Sequence, residues 1–258
     1  MNQPGQVKTA LAENLKQLHL RAMLACFEDT GRRAEQETLS CEQYLLELAE
    51  RECEQRQSNR IRRLLQDSGL PLEKSLANFN LKRLPAKVAL QMKVLLDGSF
   101  LDRKENLLAF GNPGAGKSHL LCAIAQELIS TRGRKIKYTT CALLVQDLLI
   151  AKRELQLRQT IKNLAKYEGL MIDQMGYVQQ SREEMELLFT LLAERYERGS
   201  VLLTSNLPFS KWEEIFKDPM TTAAAIDRLV HHCIILELNI PSYRMEEAKK
   251  NRAADPLP

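Results

Sequence analysis

The stretch Ala109-Phe-Gly-Asn-Pro-Gly-Ala-Gly-Lys-Ser-His-Leu120 decides the fold. Within it Gly111, Asn112, Pro113, Gly114, Ala115, Gly116, Lys117 and Ser118 spell G-x-x-x-x-G-K-S, the pattern of a phosphate-binding loop. The glycines admit backbone turns closed to bulkier residues, so successive N–H groups point inward around a polyphosphate. Lys117 offers a point charge to β- and γ-phosphates, and the Ser118 hydroxyl offers a ligand to Mg²⁺. The flanks agree. Asn106-Leu-Leu-Ala-Phe110 is an apolar run of strand length, and the segment from His119 to Leu128 is apolar at helical spacing. Strand, loop and helix in that order set phosphates on a helix N-terminus.

The chain has 258 residues, enough for a substantial core in one or two domains. Charged residues make up 27% and aromatics 5%, which suits a helix-rich soluble protein. Lys and Arg exceed Asp and Glu by 37 to 33, a balance compatible with a nucleic-acid partner without demanding one. The six cysteines are scattered and form no C-x-x-C pair, so free thiols in a reducing cytosol are expected rather than disulfides or a zinc site. The N-terminus is polar and no run approaches the ~18 apolar residues of a membrane span. A cytoplasmic protein with no membrane partner is the expectation.

Taken in order, residues 7 to about 30 read as one helix, with Leu11, Leu15, Leu18 and Ala22 on one face. Ser40-Cys-Glu-Gln43 is a capping-box pattern opening a long charged helix to about Asp67. On it Arg56, Arg60 and Arg63 share a face. That face is either solvated, with local glutamate partners, or contacts phosphate. Ser68-Gly-Leu-Pro71 stops the helix and marks a domain boundary. A connector follows, in which Phe79 packs on an adenine or belongs to the core. A helix is expected from about Pro85 to Gly98.

Beyond the loop helix, Arg134 to Thr140 reads as a strand, followed by helical patterning from Ala142 to about Leu164. Lys152, Arg153, Arg158, Lys162 and Lys166 in that stretch form either a solvated helix face or a DNA-facing patch. Gly169-Leu-Met-Ile-Asp-Gln174 is a buried strand ending in Asp173, where phosphate-loop enzymes keep their magnesium-ordering carboxylate. The next residue commonly polarises the attacking water as Glu, but here it is Gln174, an amide with no useful basicity. Ser181-Arg-Glu-Glu184 caps another helix, with Met185, Leu188, Phe189, Leu192 and Tyr196 inward. Val201 to Asn206 is a strand with a polar tip, near a ligand crevice if the strand is parallel. Asn206 then touches the γ-phosphate or water, or is a plain turn residue. Arg228 is a surface ion-pair partner or an arginine finger. His231 and His232 read as structural, and Cys233 to Leu238 as a last strand.

These residues resemble the IstB-like AAA+ ATPases, helper proteins of bacterial insertion-sequence transposition related to the DnaC helicase loaders. The resemblance spans nearly the whole chain. It rests on Leu15-Lys-Gln-Leu-His-Leu-Arg-Ala-Met23, Tyr44-Leu-Leu-Glu-Leu-Ala-Glu-Arg-Glu52, Lys74-Ser-Leu-Ala-Asn-Phe79 and the loop from Gly111 to Leu120. It continues through Ile172-Asp-Gln-Met-Gly-Tyr177, Leu203-Thr-Ser-Asn206, Ile226-Asp-Arg-Leu229 and Ser242-Tyr-Arg244. It implies an AAA+ P-loop α/β/α domain with a parallel sheet (71–246), after a small all-α domain (1–70) and before a disordered tail (247–258). It also implies ATP and Mg²⁺ as cofactors, a homo-oligomer on duplex DNA, DNA remodelling and recruitment of a transposase. By resemblance Lys117, Ser118 and His119 lie in the Walker A segment and Asp173 is the Walker B aspartate. Asn206 is sensor 1, Arg228 the finger acting in trans, Phe79 the adenine contact and Arg244 a sensor-like residue. Gln174 departs from the family's acidic residue, which implies weak or absent hydrolysis with binding intact; an introduced trap of the ATP-bound assembly is the favoured reading. A replicative-helicase loader and a non-hydrolysing, nucleotide-gated DNA clamp are the alternatives.

Overall fold

Alternation of apolar side chains along parallel strands sets the layers. The computed structural model describes residues 4–178, 181–243 and 245–246. In chain order its elements are α1 (Pro4–Gln17), α2 (Arg21–Gln36), α3 (Cys41–Ser68), α4 (Ala86–Leu95), α5 (Ser99–Asp102), β1 (Asn106–Gly111), α6 (Lys117–Arg132), β2 (Ile136–Thr140), α7 (Cys141–Arg153), α8 (Leu157–Leu164), β3 (Gly169–Met175), α9 (Arg182–Arg195), β4 (Ser200–Ser205), α10 (Glu213–Phe216), α11 (Pro219–Val230) and β5 (Cys233–Leu238). Two compact units result, residues 1–63 and 64–258, the division falling inside α3. Arg244 and the 247–258 tail lie outside the described residues.

In the larger unit all five strands are parallel, in the order β2-β3-β4-β1-β5. Leu107, Ala109, Met171, Leu202 and Leu236 turn to one face, packed with α4 and α6 side chains such as Val88, Leu120 and Ile124. Leu108, Leu170, Ile172, Val201 and Leu203 turn to the other, against α7, α9 and α11. Both faces are covered, as parallel strands require. The expected three-layer α/β/α arrangement with a parallel sheet is therefore the one adopted, with the carboxyl end of β1 opening into the phosphate loop.

The smaller unit is all helical, around Leu15, Phe27 and Leu48. Here the single helix expected over residues 7–30 is corrected to two. The chain breaks at residues 18–20, with His19 at φ 57°, and α2 continues past Gly31 to Gln36. Leu20, at the N-cap of α2, has no capping side chain. The cap comes from α3 instead: Glu52 accepts from the Ala22 N–H at 2.8 Å and the Met23 N–H at 3.3 Å. Of the expected apolar face, Leu15 is buried while Leu11 and Leu18 are exposed. The Ser40 capping box forms as read, with Gln43 closing it.

The continuous helix expected from Ala142 to Leu164 is likewise corrected to α7 and α8. The break at 154–156 is a Schellman turn: the Leu155 N–H donates to the Lys152 carbonyl and the Gln156 N–H to the Ala151 carbonyl. Leu155 takes φ 58° there, a conformation costing a non-glycine residue about 1–2 kcal/mol. The Ser181 capping box of α9 forms in full. Tyr196, expected inward, is half-buried, and its hydroxyl meets His231 Nδ1 at 2.8 Å.

Arg195 at the end of α9 is 2% exposed and has no carboxylate partner among the described residues. Its guanidinium donates to the carbonyls of Leu164, Tyr167, Glu168 and Ser200 at 2.9–3.3 Å, joining the starts of β3 and β4. Burial pulls its pKa down to about 10. Arg195→Met removes four hydrogen bonds from a buried cation, although the Leu164 and Glu168 carbonyls keep the Tyr167 and Ser200 N–H donors, so urea denaturation is expected to show a loss of about 3 kcal/mol; an unchanged midpoint would refute this.

The six cysteines are free thiols, and burial pushes Cys122 and Cys141 up to about 12. Among the described residues no helix is long and apolar enough to cross a membrane.

Candidate active site

β1 ends at Gly111 with φ 147°, where a Cβ would lie 2.3 Å from the Leu238 carbonyl oxygen. At Gly114 (φ 79°) a Cβ would strike Ser242 Oγ at 2.1 Å. These two glycines let the loop run under the segment after β5, and the Tyr243 N–H donates to the Gly114 carbonyl at 3.0 Å. α6 then begins at Lys117, which is 6% exposed; its Nζ donates to the Gly111 and Asn112 carbonyls at 2.7 and 3.0 Å.

Asp173 is fully buried beside this loop. Its Oδ1 accepts from Ser118 Oγ at 2.6 Å and from Thr204 Oγ1 at 2.5 Å, and its Oδ2 accepts from the Tyr138 hydroxyl at 3.2 Å. Burial, with the Asp173 charge beside it, pushes the Tyr138 phenol well above its ordinary value, so it stays a donor. Three hydroxyls from β2, α6 and β4 thus hold one carboxylate. The register of β3 against β4 shifts between Ile172 and Met175, and Gln174 stands at φ 64°. Such irregularities re-aim side chains next to active sites. Asp173 stays inward while Gln174 is exposed toward the cleft, its N–H held by Thr204 Oγ1 at 2.9 Å.

The cleft has a volume of ≈ 300 Å³. Gly114, Ala115, Gly116, Lys117, Ser118 and His119 line one side, Gln174 and Thr204 the floor, and Phe79, Asn80, Arg83 and Tyr243 the outer wall. Phe79 is a core residue at the edge of the cleft. It packs on the core beneath α6, meets the His119 ring edge-on at 5.0 Å, and lines the cleft. His119 Nε2 lies 3.0 Å from the Ser75 carbonyl oxygen and so ties down the connector. Arg83 bonds the Pro241 carbonyl, pairs with Glu246 and stacks over Tyr243.

Asn206 sits just beyond β4, half-buried, its Oδ1 without a hydrogen-bond partner among the described residues. The β4 side chain lining the cleft is Thr204 instead. Arg228 lies elsewhere. Its guanidinium stacks over the Phe189 ring at 4.6 Å, and Asn106, the first residue of β1, donates to the Leu229 carbonyl at 3.0 Å. Six residues of strand span about 20 Å. Arg228 therefore stands at the end of the sheet opposite the phosphate loop, out of reach of the cleft of the same chain. It borders a second cavity of ≈ 140 Å³ that also includes Glu197 and His232. Glu197 brings a carboxylate oxygen within 4.8 Å of ligand atoms of His231 and His232, a clustering that their spacing in the sequence did not reveal.

Of the basic residues singled out, Arg56 is engaged with Glu52 at 2.8 Å and the His19 carbonyl. Lys152 is paired with Glu183 at 2.7 Å. Arg60, Arg63, Arg153, Arg158 and Lys162 are exposed.

The family described as "IstB-like ATP binding protein" matches residues 13–251. A protein of Sinorhizobium fredii, named as an insertion-sequence ATP-binding protein, is 39% identical over 92% of this chain and 81% of its own length. A second, from Geobacillus stearothermophilus and similarly named, is 35% identical over 94% and 96%. Among solved structures, the DnaC helicase loader superposes with a TM-score of 0.52 at 16% identity, over 60% of this chain and 89% of that one, a likeness of fold.

Proposed function

This chain belongs to the IstB-like ATP-binding family, and from that premise we propose that it is an ATP-driven helper of insertion-sequence transposition. In this reading it binds ATP, assembles with copies of itself on duplex DNA, remodels that DNA and recruits a transposase. One observation carries the reading: a complete phosphate loop with its buried aspartate, and an arginine at the opposite end of the same sheet. A cleft built this way is finished by a second subunit.

The residues fit the ligands. Lys117 can exchange its two loop carbonyls for phosphate oxygens. Ser118 and Asp173 offer the hard oxygen donors that Mg²⁺ takes, and Mg²⁺ would neutralise charge across the β- and γ-phosphates. Tyr138 and Thr204 keep Asp173 oriented when Ser118 turns toward the metal. Phe79 supplies a flat apolar wall for a base. Gln174 can orient water but cannot accept its proton, so hydrolysis is weak and the ATP-bound assembly persists. In that limit the protein works as a nucleotide-gated DNA clamp. Arg228 of a neighbouring subunit reads the γ-phosphate, so ATP adds contacts across the interface. Exposed cations such as Arg158 and Lys162 meet the DNA backbone, with little sequence preference and a steep loss of affinity in salt.

Duplex binding and assembly size, measured with ATP, ADP and no nucleotide, test this. ATP alone is expected to give large DNA-bound assemblies. Equal binding with and without ATP would overturn the gating. Absence of duplex binding, with capture of a replicative helicase, would favour a loader instead.

A further inference from the structure

Leu155 is 92% exposed, more than any other large hydrophobic side chain among the described residues. It occupies the left-handed position of the turn between α7 and α8, where glycine is the ordinary choice. Among the seven described non-glycine residues with positive φ, it is the one aliphatic residue. Both features oppose stability: a branched side chain bears the strain of φ 58°, and its apolar surface is left in water. Glycine would relieve both, and an observed outlier of this kind is where function is to be sought.

The surroundings indicate the partner. Lys152 and Arg153 close α7, and Arg158, Lys162 and Lys166 follow, while Glu154 is the single acid from residue 152 to 167. α8 turns Leu157, Ile161 and Leu164 to the core and leaves Arg158, Gln159, Lys162 and Asn163 exposed. An apolar tip within a cationic rim is complementary to stacked bases between phosphates.

We propose that Leu155 is a wedge that enters a base step of duplex DNA, while Arg153 and Arg158 hold the phosphates on either side. Apolar wedges partly unstack a step and kink the duplex. Flexible pyrimidine–purine steps yield most readily, so the wedge selects deformable sites without reading base edges. The proposal rests on the duplex-DNA reading and names the residue that does the remodelling.

The test uses the full chain with ATP and a duplex carrying a fluorescent adenine analogue at successive steps, with a donor–acceptor pair at its ends. With the parent, analogue emission should rise several-fold at one or a few steps and the ends should approach. Leu155→Gly should fold with a melting temperature raised by about 2–4 °C and bind within about five-fold of the parent. Its unstacking signal and end approach should be lost. Unchanged unstacking in Leu155→Gly overturns the wedge. So does a parent that binds without unstacking any step, which leaves the DNA reading standing. If Leu155→Gly loses ATP-driven assembly before DNA is added, the leucine is a subunit contact and the wedge is refuted. If the parent fails to bind duplex at all, the DNA reading itself falls.

Discussion

Gln174→Glu is expected to raise ATP turnover by about 10²–10⁴-fold, the usual contribution of a positioned general base. The argument is local. Gln174 already stands exposed in the cleft, its N–H fixed by Thr204 and its backbone aimed by the shifted register of β3. Glutamate is the same size and adopts the same backbone at no added cost, so nothing needs to move. What changes is proton affinity: an amide orients water, and a carboxylate also takes its proton. ATP affinity should stay within a few-fold, because the residues proposed to hold phosphate and Mg²⁺, Lys117, Ser118 and Asp173, are unchanged. Phosphate release at saturating Mg-ATP decides the matter. An unchanged rate would mean that the residue after Asp173 is not where the base acts, and the account of weak hydrolysis would fall.

The parts of this site visible in the sequence are those whose chemistry is local. The loop from Gly111 to Ser118 is one contiguous signal, and Asp173 closes a buried run of strand length. Both capping boxes were legible because cap and partner lie three residues apart. What escaped depends on distant parts of the chain. α2 has no cap of its own because Glu52 supplies it from α3. The break between α7 and α8 was hidden because its turn carries leucine where glycine would have announced it. Tyr138 and Thr204 were not singled out as site residues, although Thr204 lies within the quoted Leu203–Asn206 segment. They reach Asp173 because β2 and β4 flank β3, an order that no spacing encodes. Arg228 was singled out as a finger by resemblance alone, and its distance from the cleft follows from the parallel sheet.

That distance yields the last prediction. In a Gln174→Glu background, Arg228→Ala should lower turnover by about 10³–10⁵-fold, as loss of an arginine finger does, with ATP affinity nearly unchanged. Lys117→Ala in the same background should be equally inactive, for the separate reason that it lacks phosphate contact. Mixing the two inactive proteins on duplex DNA separates the geometries. If Arg228 serves a neighbour, an Arg228→Ala subunit holding ATP can face the intact arginine of a Lys117→Ala subunit, and activity returns at those interfaces. If Arg228 served its own cleft, no arrangement of the mixture would restore a site. Recovery should therefore follow the fraction of mixed interfaces, rising and falling with the ratio of the two proteins. A mixture that assembles on DNA yet stays inactive at every ratio would reduce Arg228 to its stacking on Phe189, and the site would need another source of positive charge.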